Sequence, residues 1–124
     1  MAKAQICICF IIFLSLWSDK LYIMLFEFDL LLQSPGKWCV AKPSTATNKL
    51  QQNIDYACSK VDCKIISKGG ACYSPDSLIS TASVAMNLYY QTLGRDFWNC
   101  QFEGSGFISV TDPSYGNCIY TFHK

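Results

Sequence analysis

The chain has 124 residues, aromatic side chains make up 15% of it, and its net charge at pH 7 is +1. This length predicts a single domain. Acids and bases are interspersed, which excludes the basic stripe that a nucleic-acid binder sets against phosphates. Six of the eight cysteines (Cys39, Cys58, Cys63, Cys72, Cys100 and Cys118) follow an apolar leader, the pattern of a small secreted domain stapled by disulfides. Cys7 and Cys9 lie inside the leader and are expected to stay out of that framework.

The leader comes first. Ile6 to Trp17 is a continuous apolar run behind Lys3, interrupted only by Ser15, which predicts a secretory signal peptide; a buried core element is the competing reading. Ser18 is a small residue suited to cleavage, although Leu16 departs from the usual small-x-small pattern. A second run, Leu21 to Leu32, is broken by Glu27 and Asp29. Read as one anchor, the two runs would carry Asp19 and Lys20 near the middle, at about 2.5–3.5 kcal/mol per charge, so a single span is disfavoured. Ser34-Pro35-Gly36 marks a boundary. Residues 1–34 are expected to be signal peptide and apolar leader, and 35–124 the functional module.

Within the module, Trp38-Cys39-Val40 predicts a short buried start, and Pro43 to Thr47 a turn-rich link. Asn48 with Gln51 resembles a capping box that opens a helix through about Lys60. On it Leu50, Ile54, Ala57 and Cys58 share a face, leaving Gln51, Gln52 and Asp55 to water. A second helix is expected with Ser74 as cap, Pro75 in the first turn and Gly94 as the stop. Its apolar stripe is Leu78, Ala82, Ala85, Met86, Tyr89 and Leu93. Gln101-Phe102, Phe107 to Thr111 and Cys118 to Phe122 predict short strands, separated by Gly104-Ser105-Gly106 and by Asp112 to Gly116. The fold class is α+β: two helices packed with a small antiparallel sheet, with three disulfides. Lys124 follows Cys118 without a polar spacer or hydrophobic tail, so no GPI anchor signal is expected. No Asn-x-Ser/Thr triplet occurs, so N-glycosylation is not expected.

Catalytic chemistries find little support. A glycosidase needs two carboxylates roughly 5–10 Å apart, yet none of Asp55, Asp62, Asp76, Asp96, Glu103 and Asp112 has a recognisable catalytic setting. For zinc, Cys58, Cys63 and Cys72 lack the paired Cys-x-x-Cys arrangement, and His123 is the single histidine. Six mutually paired cysteines would leave no thiolate for a Cys–His nucleophile. No enzyme activity, metal or cofactor is expected.

Five blocks carry a resemblance. Trp38-Cys39-Val40-Ala41-Lys42-Pro43, Asn53-Ile54-Asp55-Tyr56-Ala57-Cys58, Gly69-Gly70-Ala71-Cys72-Tyr73, Ala85 to Gln91 and Thr111 to Cys118 are similar to carbohydrate-binding modules of family 43. These are plant modules appended to β-1,3-glucanases or standing alone in plasmodesmal callose-binding proteins. The resemblance covers Lys37 to Tyr120. It implies a secreted, non-catalytic module that binds β-1,3-glucan (callose) in the cell wall, with plasmodesmata and the outer face of the plasma membrane among its locations. Sequence alone leaves the cysteine pairing open; the resemblance implies Cys39–Cys100, Cys58–Cys63 and Cys72–Cys118. The stretch from Cys58 to Cys63 is one residue shorter than the family's usual spacing.

Sugar rings offer CH-rich faces, so such sites combine flat aromatic platforms with a few polar partners. Adjacent helical positions diverge by about 100°, so Tyr89 and Tyr90 cannot share a face; Tyr89 continues the apolar stripe and Tyr90 is expected at the surface with Asn87 and Gln91. The candidate glucan-binding set is Tyr73, Tyr90 and Tyr115 as platforms, with Asn87, Gln91 and Asp112 as hydroxyl partners. Phe97 and Trp98 lie in turns where a ring face would also show, while Trp38 and Phe107 are expected in the core. Each has a plainer reading: Tyr73 and Tyr115 as hydrogen-bonded structural posts, and Asp112 as the cap of its own turn. A monomer binding β-1,3-glucan, with no nucleic-acid partner, is the resulting expectation. The alternative is a small secreted defence or signalling protein on the same scaffold, without glucan affinity.

Overall fold

Two helices carry most of the core, and a side chain caps the start of the second but not of the first. The computed structural model describes residues 37–123; the expected signal peptide and apolar leader, residues 1–34, lie outside the described residues. Helix α1, Thr47–Cys58, buries Leu50, Asn53 and Ala57. The expected Asn48–Gln51 capping box does not form: Ala46 is the N-cap without a side-chain bond, and Gln51 Nε2 instead donates to Asp55 Oδ1 one turn on (2.9 Å). Helix α2, Leu78–Thr92, is capped by Ser77, whose Oγ accepts from Ser80 N–H. The cap lies three residues beyond the expected Ser74, because Ser74 to Ser77 is itself a turn closed by Ser77 N–H to the Ser74 carbonyl (3.2 Å). Gly94 stands just past the end with φ +96°, the left-handed conformation that glycine adopts without steric cost.

Strand β1, Trp38–Ala41, pairs antiparallel with β2, Gly106–Ser109, with Trp38 opposite Ser109 and Ala41 opposite Gly106. A Cβ on Gly106 would lie 2.2 Å from the Cys100 carbonyl oxygen, so only glycine lets β2 run this close to the turn before it. The expected strands at Gln101-Phe102 and Cys118 to Phe122 are absent among the described residues. Phe102 belongs to a 3₁₀ turn, Phe102–Gly104, and the last segment makes only an isolated bridge, Tyr115 to Cys118.

The missing strand has a substitute. Ser83, Asn87 and Gln91, four residues apart on α2, present their side chains to the free edge of β1. Ala41 N–H donates to Ser83 Oγ (2.9 Å), Cys39 N–H donates to Asn87 Oδ1 (3.0 Å), and Gln91 Nε2 donates to the Lys37 carbonyl (2.8 Å). From the other side, Asn87 Nδ2 donates to the Thr121 carbonyl (2.8 Å) and His123 N–H donates to Gln91 Oε1 (3.0 Å). A helix edge of polar side chains thus satisfies backbone groups on both flanks, which leaving unpaired in the interior would cost about 1–3 kcal/mol each.

Three disulfides join Cys39 to Cys100, Cys58 to Cys63 and Cys72 to Cys118, the pairing that the resemblance implied. Two of them sit in separate core clusters. Cys39 and Cys100 pack with Ala41, Leu50, Ala82, Met86 and Tyr90; Cys72 and Cys118 pack with Trp38, Val84 and Tyr120. These two close long loops, spanning 61 and 46 residues, where a cross-link typically contributes about 2–4 kcal/mol. A module this small buries a smaller share of its surface than a large domain, so such cross-links weigh more in its stability. Trp38 is buried as expected, but Phe107 stands 41% exposed rather than in the core.

Candidate functional site

The six residues singled out by sequence do not form one site. Tyr90 is fully buried, and Asn87 and Gln91 are nearly so. All three therefore correct the expectation of a surface cluster. Asn87 and Gln91 spend their amides on β1 and the C-terminal segment, and Tyr90 packs between Met86 and the Cys39–Cys100 bridge. A ring with no accessible face has nothing to offer a sugar. Burial raises the Tyr90 phenol's pKa, and its OH finds no partner among the described residues.

The remaining three lie together elsewhere. Tyr73 and Tyr115 flank the Cys72–Cys118 bridge and are 45% and 49% exposed. The plainer reading of Asp112 holds in part: its Oδ1 accepts from Ser114 N–H (2.9 Å) and Ser114 Oγ (2.6 Å), closing its own turn.

A groove of about 500 Å³ lies between α1 and the 97–104 segment, within the size range of ligand sites. From α1 come Lys49, Gln52, Asn53 and Tyr56. Their spacing (i, i+3, i+4, i+7) puts them on one helical face beside the apolar stripe. That polar-and-aromatic stripe was readable in the sequence and is the signal that finds the groove. Tyr89 of α2 and Trp98, Asn99, Gln101, Phe102 and Glu103 complete the lining. Tyr89 was expected to continue the core stripe; it is half-buried and turned toward the groove, reversing its assignment with Tyr90.

The rings form a relay. Tyr56 and Tyr89 have centroids 5.4 Å apart, and their hydroxyls are 3.4 Å apart. Phe102 meets Tyr89 edge-on at 5.6 Å. Trp98, 62% exposed, stands edge-on to Phe97 at 5.7 Å. Such tilted pairs are favourable by about 0.5–1.5 kcal/mol each. The hydrogen bond with Tyr56, and then burial, push the Tyr89 phenol's pKa up. Lys60 Nζ lies over the Tyr56 ring, 5.7 Å from its centroid, a cation–π contact.

One wall is held in an uncommon conformation. Phe102, Glu103 and Gly104 have φ of +44°, +54° and +88°, a left-handed turn that costs non-glycine residues of order 1–3 kcal/mol each. It persists because its neighbours pin it. Ser105 Oγ donates to the Phe102 carbonyl (2.6 Å), buried Asn53 Nδ2 donates to Ser105 Oγ (2.8 Å), and Glu103 pairs with Lys49 of α1. Lys49 holds the Glu103 carboxyl below the usual carboxylate range. Strain retained beside a groove is the kind of feature that accompanies ligand sites.

A small α+β body stapled by three disulfides, with an aromatic groove rimmed by amides, belongs to the class of extracellular-type binding modules. Residues 37–107 match the X8 domain, and the chain belongs to that family, the one also numbered carbohydrate-binding module family 43. Over 85 residues it is 54% identical to a glucan endo-1,3-beta-glucosidase of Triticum aestivum, covering 68% of this chain and 18% of that protein. A glucan endo-1,3-beta-D-glucosidase of Olea europaea is 45% identical over 89 residues, covering 71% of this chain and 19% of that protein. The chain therefore spans under a fifth of these two relatives. The major pollen allergen Ole e 10 of Olea europaea is 44% identical over 90 residues, covering 71% of this chain and 73% of the allergen.

Proposed function

We propose that this module binds β-1,3-glucan (callose) in the plant cell wall, plasmodesmata included, and holds the polymer without cleaving it. The observation that carries the reading is the groove, where Tyr56, Tyr89, Trp98 and Phe102 offer ring faces or edges and Gln52, Asn99 and Gln101 offer amides. Rings suit the CH faces of glucose and amides suit its hydroxyls. Membership of the X8 family and relatives named as endo-1,3-β-glucosidases support glucan as the polymer. Secretion is supported by the three disulfides, since such bonds persist in oxidising compartments.

Non-catalytic binding is supported by the groove's acid content. Among the described residues lining it, Glu103 is the single carboxylate, and it is ion-paired to Lys49, whereas glycoside hydrolysis uses two carboxyl groups. The test is co-sedimentation with insoluble β-1,3-glucan under oxidising conditions, alongside a reducing-sugar assay on laminarin. Retention that falls in Trp98→Ala, with no sugar released, is the expected result. Failure to sediment would favour a defence or signalling role, and released sugar would overturn the non-catalytic reading.

A further inference from the structure

The tyrosines on either side of the Cys72–Cys118 bridge form a second surface, built differently from the groove. Tyr115 is fixed at both ends. Its backbone exchanges two hydrogen bonds with Cys118 (3.0 and 2.8 Å), and its phenol is bonded to Ser80 Oγ of α2 (2.7 Å). About half the side chain still faces solvent. Tyr73 follows Cys72 directly, and the bridge holds the Cα atoms of Cys72 and Cys118 4.7 Å apart, so both exposed tyrosines ride on one cross-link. A ring already immobilised, as that of Tyr115 is, loses little further freedom on stacking against a ligand. In the two segments that meet here, 71–75 and 112–120, the one charged residue is Asp112. Its Oδ1 is already committed to Ser114. An anchored Tyr115 ring, an exposed Tyr73 ring, an exposed Asn117 amide and no cation within these two segments make a face matched to a neutral polyol chain rather than to an anionic ligand.

The placement of this face relative to the groove sets its consequence. Ser80, which anchors Tyr115, and Tyr89, which lines the groove, both lie on α2 and are nine residues apart. Nine residues are about 13 Å of rise and about two and a half turns, so the two surfaces look out from opposite sides of the same helix. A glucan strand seated on one has no straight path to the other. We propose that the Tyr73/Tyr115 face is a second site for neutral β-glucan, and that the module is bivalent and bridges two polymer strands. The proposal rests on the glucan reading of the groove and extends it from holding a strand to cross-linking strands, where linkage of two weak sites raises retention through effective concentration.

Calorimetric titration of the full chain with laminarihexaose tests it, with NMR of the same samples mapping the shifts. Two equivalents per chain are expected in the wild type. Trp98→Ala and Tyr73→Ala should each leave one, both substitutions being at exposed side chains. Mixed with soluble linear β-1,3-glucan, the wild type should raise turbidity and each variant should not. Tyr115→Ala removes the anchored ring; should it unfold, the wild-type NMR map still decides, because shifts must then appear at 71–75 and 112–120 as well as in the groove. A single equivalent confined to the groove overturns bivalency while leaving the glucan reading intact, and marks the tyrosine face for some other partner. A single equivalent confined to the tyrosine face overturns both bivalency and the groove. No binding at either face overturns the glucan reading together with this one.

Discussion

Two sets of amides in this molecule have the same chemistry and opposite employment. On α2, Asn87 and Gln91 are sealed inside and bonded to backbone groups of β1 and of residues 121–123. Around the groove, Gln52, Asn99 and Gln101 stand at the rim with capacity left over. The difference lies in what each helix face meets. The polar stripe of α2 meets a strand edge with unpaired N–H and C=O groups, so the amides become structure; that of α1 faces the groove, where Lys49 and Asn53 are spent on the 103–105 turn while Gln52 remains available. An amide in a binding module is a ligand contact only where the fold has not already claimed it.

Substitutions at the two sets should separate stability from binding. The largest effect is expected at Asn87: Asn87→Ala strands Cys39 N–H and the Thr121 carbonyl in the interior and should lower unfolding free energy by about 3 kcal/mol, read by urea titration. Tyr120 gives the next effect, through pH. Burial pushes its phenol up to about 12 from an ordinary 10.0, so folding favours the protonated form. That contribution is complete below about pH 10 and is lost as pH rises through about 12. Tyr120→Phe should therefore flatten the alkaline limb of the stability profile in thermal melts.

Binding effects come third. Trp98→Ala removes an exposed ring and should leave the unfolding free energy within about 0.5 kcal/mol while weakening glucan affinity about tenfold, or about 1.4 kcal/mol, in co-sedimentation. The smallest change is expected at Tyr90. Its buried OH is unpartnered among the described residues, so Tyr90→Phe should be neutral or stabilising by up to about 1 kcal/mol, with glucan retention unchanged. Reduced retention in Tyr90→Phe, with stability intact, would return that residue to the binding surface.

Much of the architecture was legible in the chain. Apolar spacing placed both helices, Gly94 marked the end of α2, and the even cysteine set foretold the cross-linked core. The cysteine pairing itself came from the family resemblance and agrees with the structure. What misled was the polar content of α2. Periodicity assigns Asn87, Tyr90 and Gln91 to a wet face because it weighs transfer to water and ignores backbone groups that arrive from elsewhere in the chain. α2 is buried almost all round, a tertiary fact that a local pattern does not contain. The third strand failed for the same reason, since residues 121–123 satisfy their backbone on helix side chains instead of a sheet edge. The groove was half legible. Lys49, Gln52, Asn53 and Tyr56 repeat at helical spacing, but the left-handed turn at Phe102 and Glu103 that closes the opposite wall defies their residue preferences and follows from tertiary pinning.

Indole N–H resonances provide the most direct check: of the three tryptophans, Trp38 is sealed in the core and Trp98 stands in the groove. On titrating the full chain with laminarihexaose, the Trp98 signal should move saturably while the Trp38 signal stays in place. A Trp98 signal that does not respond while the protein is still retained on β-1,3-glucan would contradict the account.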